Sequence, residues 1–250
     1  MKKLLIVLKL TLFVALFASE SATDIVKKAT DVLTPNSAVS KQRMTITTDS
    51  GDKREFEMES FSKDRGEKTL VKYTKPSRVK GQANLMLNNA DDIWTYFPRT
   101  NRVRKLATHA KKQKVQGSDF SYEDMGSGDS FVDDFSHSFL KDKRVNGVNC
   151  YKIEMAKKKN VESAYAKIVI YISKEDFVMM RADYYGEDAP DFVEKSLFAY
   201  DFKVVDNIPT AFTVVMKNLI DETETQLEIL EIAYDVALDD KMFTERELKR

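Results

Sequence analysis

From residue 39 onward, apolar residues recur at every second position and turn-forming residues interrupt them at short intervals. That pattern sets the fold class. Met44 and Ile46 alternate with Thr45 and Thr47, Asp49-Ser50-Gly51-Asp52 reverses the chain, and Phe56 and Met58 then alternate with Glu55, Glu57 and Glu59. Asp64-Arg65-Gly66 turns it again, into residues 69–73. Strands with one wet and one apolar face pair antiparallel and pack on one side. The same pattern fills the last hundred residues. Asn146-Gly147 is a two-residue hairpin signal. Residues 164–172 lose strict alternation and read as a strand buried on both faces, whereas Phe198, Tyr200, Phe202 and Val204 alternate with Ala199, Asp201 and Lys203. Phe212, Val214 and Met216 follow after Asn207-Ile208-Pro209. The count comes to about eleven or twelve strands, mostly sequential neighbours, and few helices. This predicts a mainly β chain built on a strongly curved antiparallel sheet.

Helical spacing is confined to a few places. Ile25, Val26, Ala29, Val32 and Leu33 form one stripe over residues 23–33, with Thr23 as the expected cap and Pro35 as the stop. A helix this short is marginal in water, so it must lie against the sheet as a lid. Phe131, Val132, Phe135 and Phe139 predict a second short helix within residues 129–140, and residues 239–249 read as a terminal helix or tail. Between these, residues 107–130 form a polar crossing of unusual length; the lid helix and the stretch 107–140 are the expected moving parts. A length of 250 residues suits one domain, placed at 23–250. Residues 1–22 read as an export signal, with Lys2 and Lys3 before an apolar run and small residues after it, and cleavage is expected between Ala18 and Ala22. The expected location is therefore the periplasm. With Cys150 as the sole cysteine there is no intrachain disulfide, and its strand-like surroundings mark it as a small buried hydrophobe.

Composition removes several classes of function. Forty basic residues balance forty acidic ones, which argues against a nucleic-acid partner. The two histidines, His109 and His137, form no spaced metal-ligand set, and there is no nucleophile elbow. Gly126-Ser127-Gly128 lacks the context of a phosphate loop. Asp119, Glu123, Asp124, Asp129, Asp133 and Asp134 meet no calcium-loop pattern and are expected to cap helices or to pair with Arg102 and Arg104. The chain thus reads as a non-enzyme without metal or cofactor. Fifteen Phe, ten Tyr and ten Met supply large adaptable side chains, and a bent sheet of this size has more concave apolar surface than its few helices can fill. The expected lining is Tyr73, Trp94, Tyr96, Met179, Phe198, Tyr200, Phe202, Phe212, Val214 and Met216. Arg99, Arg102, Arg104 and Lys105 form either a solvated basic strand or a docking surface for an acidic partner or lipid head groups.

One block carries a family likeness. Asp92-Ile93-Trp94-Thr95-Tyr96-Phe97-Pro98, then Arg102-Val103-Arg104, then Gly117-Ser118-Asp119-Phe120-Ser121-Tyr122-Glu123-Asp124 resembles the LolA-like outer-membrane lipoprotein-sorting protein family, as does the ending Phe243-Thr244-Glu245-Arg246-Glu247-Leu248. The resemblance implies a half-open, strongly bent antiparallel barrel with a lid of helices and loop over an apolar cavity. It further implies a periplasmic protein that carries a lipid or lipoprotein acyl chain toward the outer membrane, here expected to act as a monomer. The same likeness leaves open a sensor or adaptor working with an inner-membrane transporter of the resistance-nodulation-division type.

Overall fold

The computed structural model describes residues 20–249; the expected export segment lies outside the described residues, apart from residues 20–22. The chain begins with helix α1 (Ala22–Leu33) and then forms β1 (Ser37–Thr47), β2 (Lys53–Lys63), β3 (Lys68–Lys75), β4 (Ala83–Leu87), β5 (Asp92–Phe97) and β6 (Arg102–Leu106). A crossing with two short 3-10 turns and helices α2 (Tyr122–Gly126) and α3 (Phe131–Asp134) follows. The remaining strands are β7 (Phe135–Val145), β8 (Val148–Lys157), β9 (Tyr165–Ser173), β10 (Met179–Gly186), β11 (Lys195–Val205), β12 (Ile208–Asn218) and β13 (Thr223–Tyr234). Two 3-10 turns, Asp240–Phe243 and Glu247–Lys249, make the tail.

All thirteen strands belong to one antiparallel sheet in the order β6-β5-β4-β3-β2-β1-β13-β12-β11-β10-β9-β8-β7. Every neighbour is sequential except the β1–β13 pair, which joins the two halves of the chain at the middle of the sheet. The sheet curves without closing, so β6 and β7 are free edges, and the crossing between them spans the concave side.

Local sequence explains the elements. Ser21, rather than the expected Thr23, caps α1: its hydroxyl accepts from the Asp24 backbone N–H while the Asp24 carboxylate accepts from the Ser21 N–H. The helix buries Ile25, Val26 and Ala29 against the sheet, which contributes up to about 5 kcal/mol and offsets the poor stability of an isolated twelve-residue helix. The Asn146-Gly147 turn has both residues at positive φ, as a tight hairpin requires. β9 is buried on both faces, with Ile168, Ile170 and Ile172 inward and Val169 and Tyr171 outward.

Two sequence expectations need correction. The sheet has thirteen strands, not the eleven or twelve expected. The aromatic spacing at 131–139 joins two elements: α3 ends at Asp134, and Phe135, His137 and Phe139 belong to edge strand β7, paired with Lys157, Met155 and Ile153. A strand that bends over a helix end imitates helical spacing there.

One apolar patch of the outer face is covered by the C-terminal tail. Leu70, Ala83 and Leu85 form a convex cluster with Phe61, Trp94 and Tyr96, and the tail residues Phe243 and Leu248 cover it. Phe243→Ala should therefore lower stability by about 3 kcal/mol and shift the emission of Trp94, the sole tryptophan, to the red. Urea unfolding followed by tryptophan fluorescence checks this; unchanged emission would contradict the packing.

Candidate functional site

The concave face holds two adjoining apolar clusters. One joins α1 to Phe135, Ile153, Met155, Ile168, Ile170, Ala182, Tyr184 and Met216; the other groups Met44, Phe56, Met58, Tyr73, Met86 and Ile93. Met125 and Leu227 touch both. Within the first cluster, side chains do not fill the space. An apolar cavity of about 220 Å³ lies under α1, between Val26, Ala29 and Leu33 above and Met155, Ile168, Ile170, Met179 and Tyr184 below, with Gly128 and Phe131 at its side. An engineered cavity of about 150 Å³ admits benzene, so the space here suits roughly eight or nine carbons. A longer chain needs α1 to move.

What holds the crossing over the sheet is a buried polar network at residues 117–124. Ser121 caps α2 through a second Ser-x-x-Asp box, in which Asp124 accepts from the Ser121 N–H at 2.7 Å. The same carboxylate accepts from the Tyr165 hydroxyl at 2.7 Å and from Lys195 Nζ at 2.9 Å. Lys195 also donates to the Asp119 carbonyl at 3.1 Å and stands over the Tyr165 ring. The Asp119 carboxylate accepts from the hydroxyls of Thr223 and Thr225 on β13. Glu123 accepts from the Ser163 hydroxyl and from the Ala164 N–H at 2.8 Å. Burial pushes the Glu123 carboxyl up, and burial together with Asp124 pushes the Tyr165 hydroxyl well up.

The expectation that the whole crossing moves is not matched by this anchoring, which ties residues 117–124 to β9, β11 and β13. Nor do the acidic residues pair with Arg102 and Arg104. Asp129 instead pairs with Arg65 at 2.9 Å. Arg65 also reaches Asp31 at 2.9 Å and the Thr34 carbonyl at 3.3 Å, so one guanidinium ties the end of α1 to the crossing. At the other end, Thr23 lies 3.2 Å from the His137 ring on β7. Gly128 sits where only glycine fits: its φ is +54°, and a Cβ there would meet Asn89 Oδ1 at 2.8 Å and the Arg65 carbonyl at 2.9 Å.

The expected lining residues divide between the faces. Met179 borders the cavity, and Val214 and Met216 pack into the cluster beneath α1. Phe212 shares their face by register, with Lys203 Nζ 4.2 Å from its ring centre. Tyr73 is buried in the second concave cluster, edge-on to Phe56. Phe198, Tyr200 and Phe202 point the other way: Leu197 pairs with Met216 and Ala199 with Val214, so the even positions of β11 face outward when the even positions of β12 face inward. Phe198 stacks on Tyr200 and under Arg181 on that outer face. Trp94 and Tyr96 are likewise outward, beneath the tail.

The basic block is split too. Lys105 pairs with Asp92 at 2.6 Å and lies over Trp94, whereas Arg102 and Arg104 face the other side and Arg99 sits in the β5–β6 turn. Arg99, Arg102 and Arg104 are exposed on the free edge. Sequence reasoning missed Arg65, Lys111, Phe131 and Lys195 as site residues; the Ser-x-x-Asp spacing at 121–124 was the one available signal for the anchored crossing. Among the described residues no three His, Cys, Asp or Glu side chains are placed to hold a metal ion, and no helix is long and apolar enough to cross a membrane.

Comparison with known proteins follows the fold. A protein family described as an uncharacterized protein matches residues 65–250. The chain superposes on a candidate outer membrane lipoprotein-sorting protein domain from Vibrio parahaemolyticus with a TM-score of 0.83 at 23% identity, covering 92% of this chain and 98% of that one. A DUF1329 family protein from Desulfovibrio piger gives 0.83 at 26% identity, with 91% and 97% covered. A LolA superfamily protein from Nitrosomonas europaea gives 0.77 at 18% identity, with 92% and 100% covered. No curated protein matches the sequence.

The buried Glu123 makes a pH prediction with a definite sign. Its carboxyl is raised above the ordinary 4.5, so the folded state holds that proton more tightly than the unfolded chain, and the stability it contributes is lost as pH rises through the interval above 4.5. Glutamine at 123 abolishes that dependence. Urea titrations from about pH 4 to pH 7 should show wild-type stability declining relative to Glu123→Gln; a relative gain would contradict the assignment.

Proposed function

We propose that this chain, a member of the family of uncharacterized proteins matched over residues 65–250 and LolA-like in fold, is a periplasmic carrier that holds a lipid or lipoprotein acyl chain between α1 and the concave sheet and delivers it toward the outer membrane. The observation that carries this reading is the unfilled apolar cavity under the helix, at the place where a lid would cover a guest. Energetics favour an enclosed site. Hiding a dozen methylenes from water is worth on the order of 10 kcal/mol, which a shallow surface patch does not supply. Met155 and Met179 suit such a guest, since thioether side chains repack around chains of differing shape.

In this reading the crossing is the fixed wall and α1 the moving part. α1 is tied down by few polar contacts, chiefly Arg65 at its C-terminal end and His137 at its start, whereas residues 117–124 are held by buried ones. Loading displaces the helix, the guest replaces its apolar contacts, and release reverses the exchange.

Native mass spectrometry of the protein purified from cells should reveal a bound lipid, and delipidated protein should take up a fluorescent fatty acid one to one. Recovery without lipid, together with no uptake, would overturn the proposal. Arg65→Ala should speed that uptake about tenfold, as expected when roughly 1.4 kcal/mol of lid contacts is removed, with modest loss of thermal stability. An unchanged uptake rate would mean that Arg65 does not hold the lid.

A further inference from the structure

The crossing divides the concave space into two compartments of opposite character. Residues 127–131 set Gly128 and Phe131 against the apolar cavity, and Ser127, Ser130 and Phe131 against a second cavity of about 350 Å³. That second cavity is polar, with Asn89, Asp91, Lys111, Glu123, Asp134 and Glu162 in its walls. Phe131 borders both, and its ring centre lies 5.7 Å from that of Phe135, which also borders the polar side. Phe131 is thus the boundary between a polar and an apolar space.

The charges around the polar cavity do not balance. Its one lysine, Lys111, is about nine-tenths buried and donates to Asp91 at 2.9 Å. Glu123 is engaged by Ser163 and the Ala164 N–H. Asp134 and Glu162 remain, and neither forms a salt bridge among the described residues. Nearby, Lys112 and Lys157 share Glu187, the Lys112 charge also acts on Glu162, and Lys158 donates to the Asp133 carbonyl. With Asp91 paired to Lys111, the carboxylates of Asp134 and Glu162 leave the cavity wall net negative, which repels an anionic head. The side chains are not grouped to chelate a metal ion. A group that carries positive charge and donates hydrogen bonds satisfies both the Asp134 and Glu162 carboxylates and the amide oxygens around them.

Resting on the carrier reading above, we propose that this cavity is the head-group compartment and that the guest is an amphiphile whose polar head bears an ammonium group. The ammonium donates to Asp134 and Glu162, and the tail passes Phe131 into the cavity under α1.

Calorimetry on the full chain with three probes of equal chain length, dodecylammonium, dodecyl phosphate and dodecyl maltoside, each below its micelle concentration, tests this. Dodecylammonium should bind about tenfold more tightly than dodecyl phosphate. The Asp134→Asn, Glu162→Gln double variant, with its melting curve as a check on folding, should reduce that preference to about threefold or less. The single Asp134→Asn variant serves the same purpose should the double variant fold poorly. Equal binding of all three probes would overturn the head-group assignment and leave the carrier reading standing. A preference for maltoside, or an ammonium preference that survives in the variants, would also overturn it. Binding of none would remove the carrier reading and this inference with it.

Discussion

The pair Lys195–Asp124 is the contact on which the concave side of this molecule depends. Both side chains are nearly buried, and taking two charges out of water costs several kcal/mol unless every remaining donor and acceptor finds a partner. Here the partners exist: Ser121 and Tyr165 complete the carboxylate, and the Asp119 carbonyl and the Tyr165 ring complete the ammonium. Asp119 repeats the arrangement a few residues earlier with Thr223 and Thr225. A polar chain thus lies across the middle of an apolar surface at a fixed height, and Gly128 and Phe131 are placed by it.

That fixed height leaves space under α1. The helix approaches the sheet from the opposite side of the crossing and buries one stripe, but its small residue Ala29 and the opposing Ala182 do not meet across the gap. The sheet cannot close the gap itself, because β6 and β7 are edges separated by the crossing. Packing energy is therefore left unrealised under the lid, and a guest of matching polarity recovers it. The contrast between a wall held by a buried ion pair with buried hydrogen bonds and a lid held by half-exposed ion pairs gives the molecule one part that yields and one that does not.

Much of the fold was legible because period-two alternation and turn chemistry are local. The Asp64-Arg65-Gly66 and Asn146-Gly147 turns, the doubly buried β9, the buried Cys150 and the helix ended by Pro35 all follow from a few neighbouring residues. The lining was much less legible, for a physical reason. Alternation says which residues share a face but not which face is concave, and the outer face here is also apolar wherever the tail or Arg181 covers it. Trp94 and Tyr96, the bulkiest residues of β5, pack against the tail, and Phe198 lies under Arg181 with Tyr200 stacked on it. Lys111 and Lys195 look like solvated residues of polar stretches, since their partners lie up to 76 residues away in sequence. Register between β11 and β12 would have excluded half of the aromatic set, because even positions on both strands cannot face the same way.

The central claim is that α1 moves to admit an acyl chain while residues 117–124 stay in place. Pulsed electron-spin distance measurements test it directly in a Cys150→Ser background. One label pair joins Lys27 on α1 to Lys217 on β12, and a control pair joins Gln113 in the crossing to Lys217, each measured with and without one equivalent of a sixteen-carbon fatty acid. The account predicts that the first distance lengthens by several ångström on loading and the second does not change. Stoichiometric binding with both distances unchanged, or with the crossing displaced and α1 still, would contradict it.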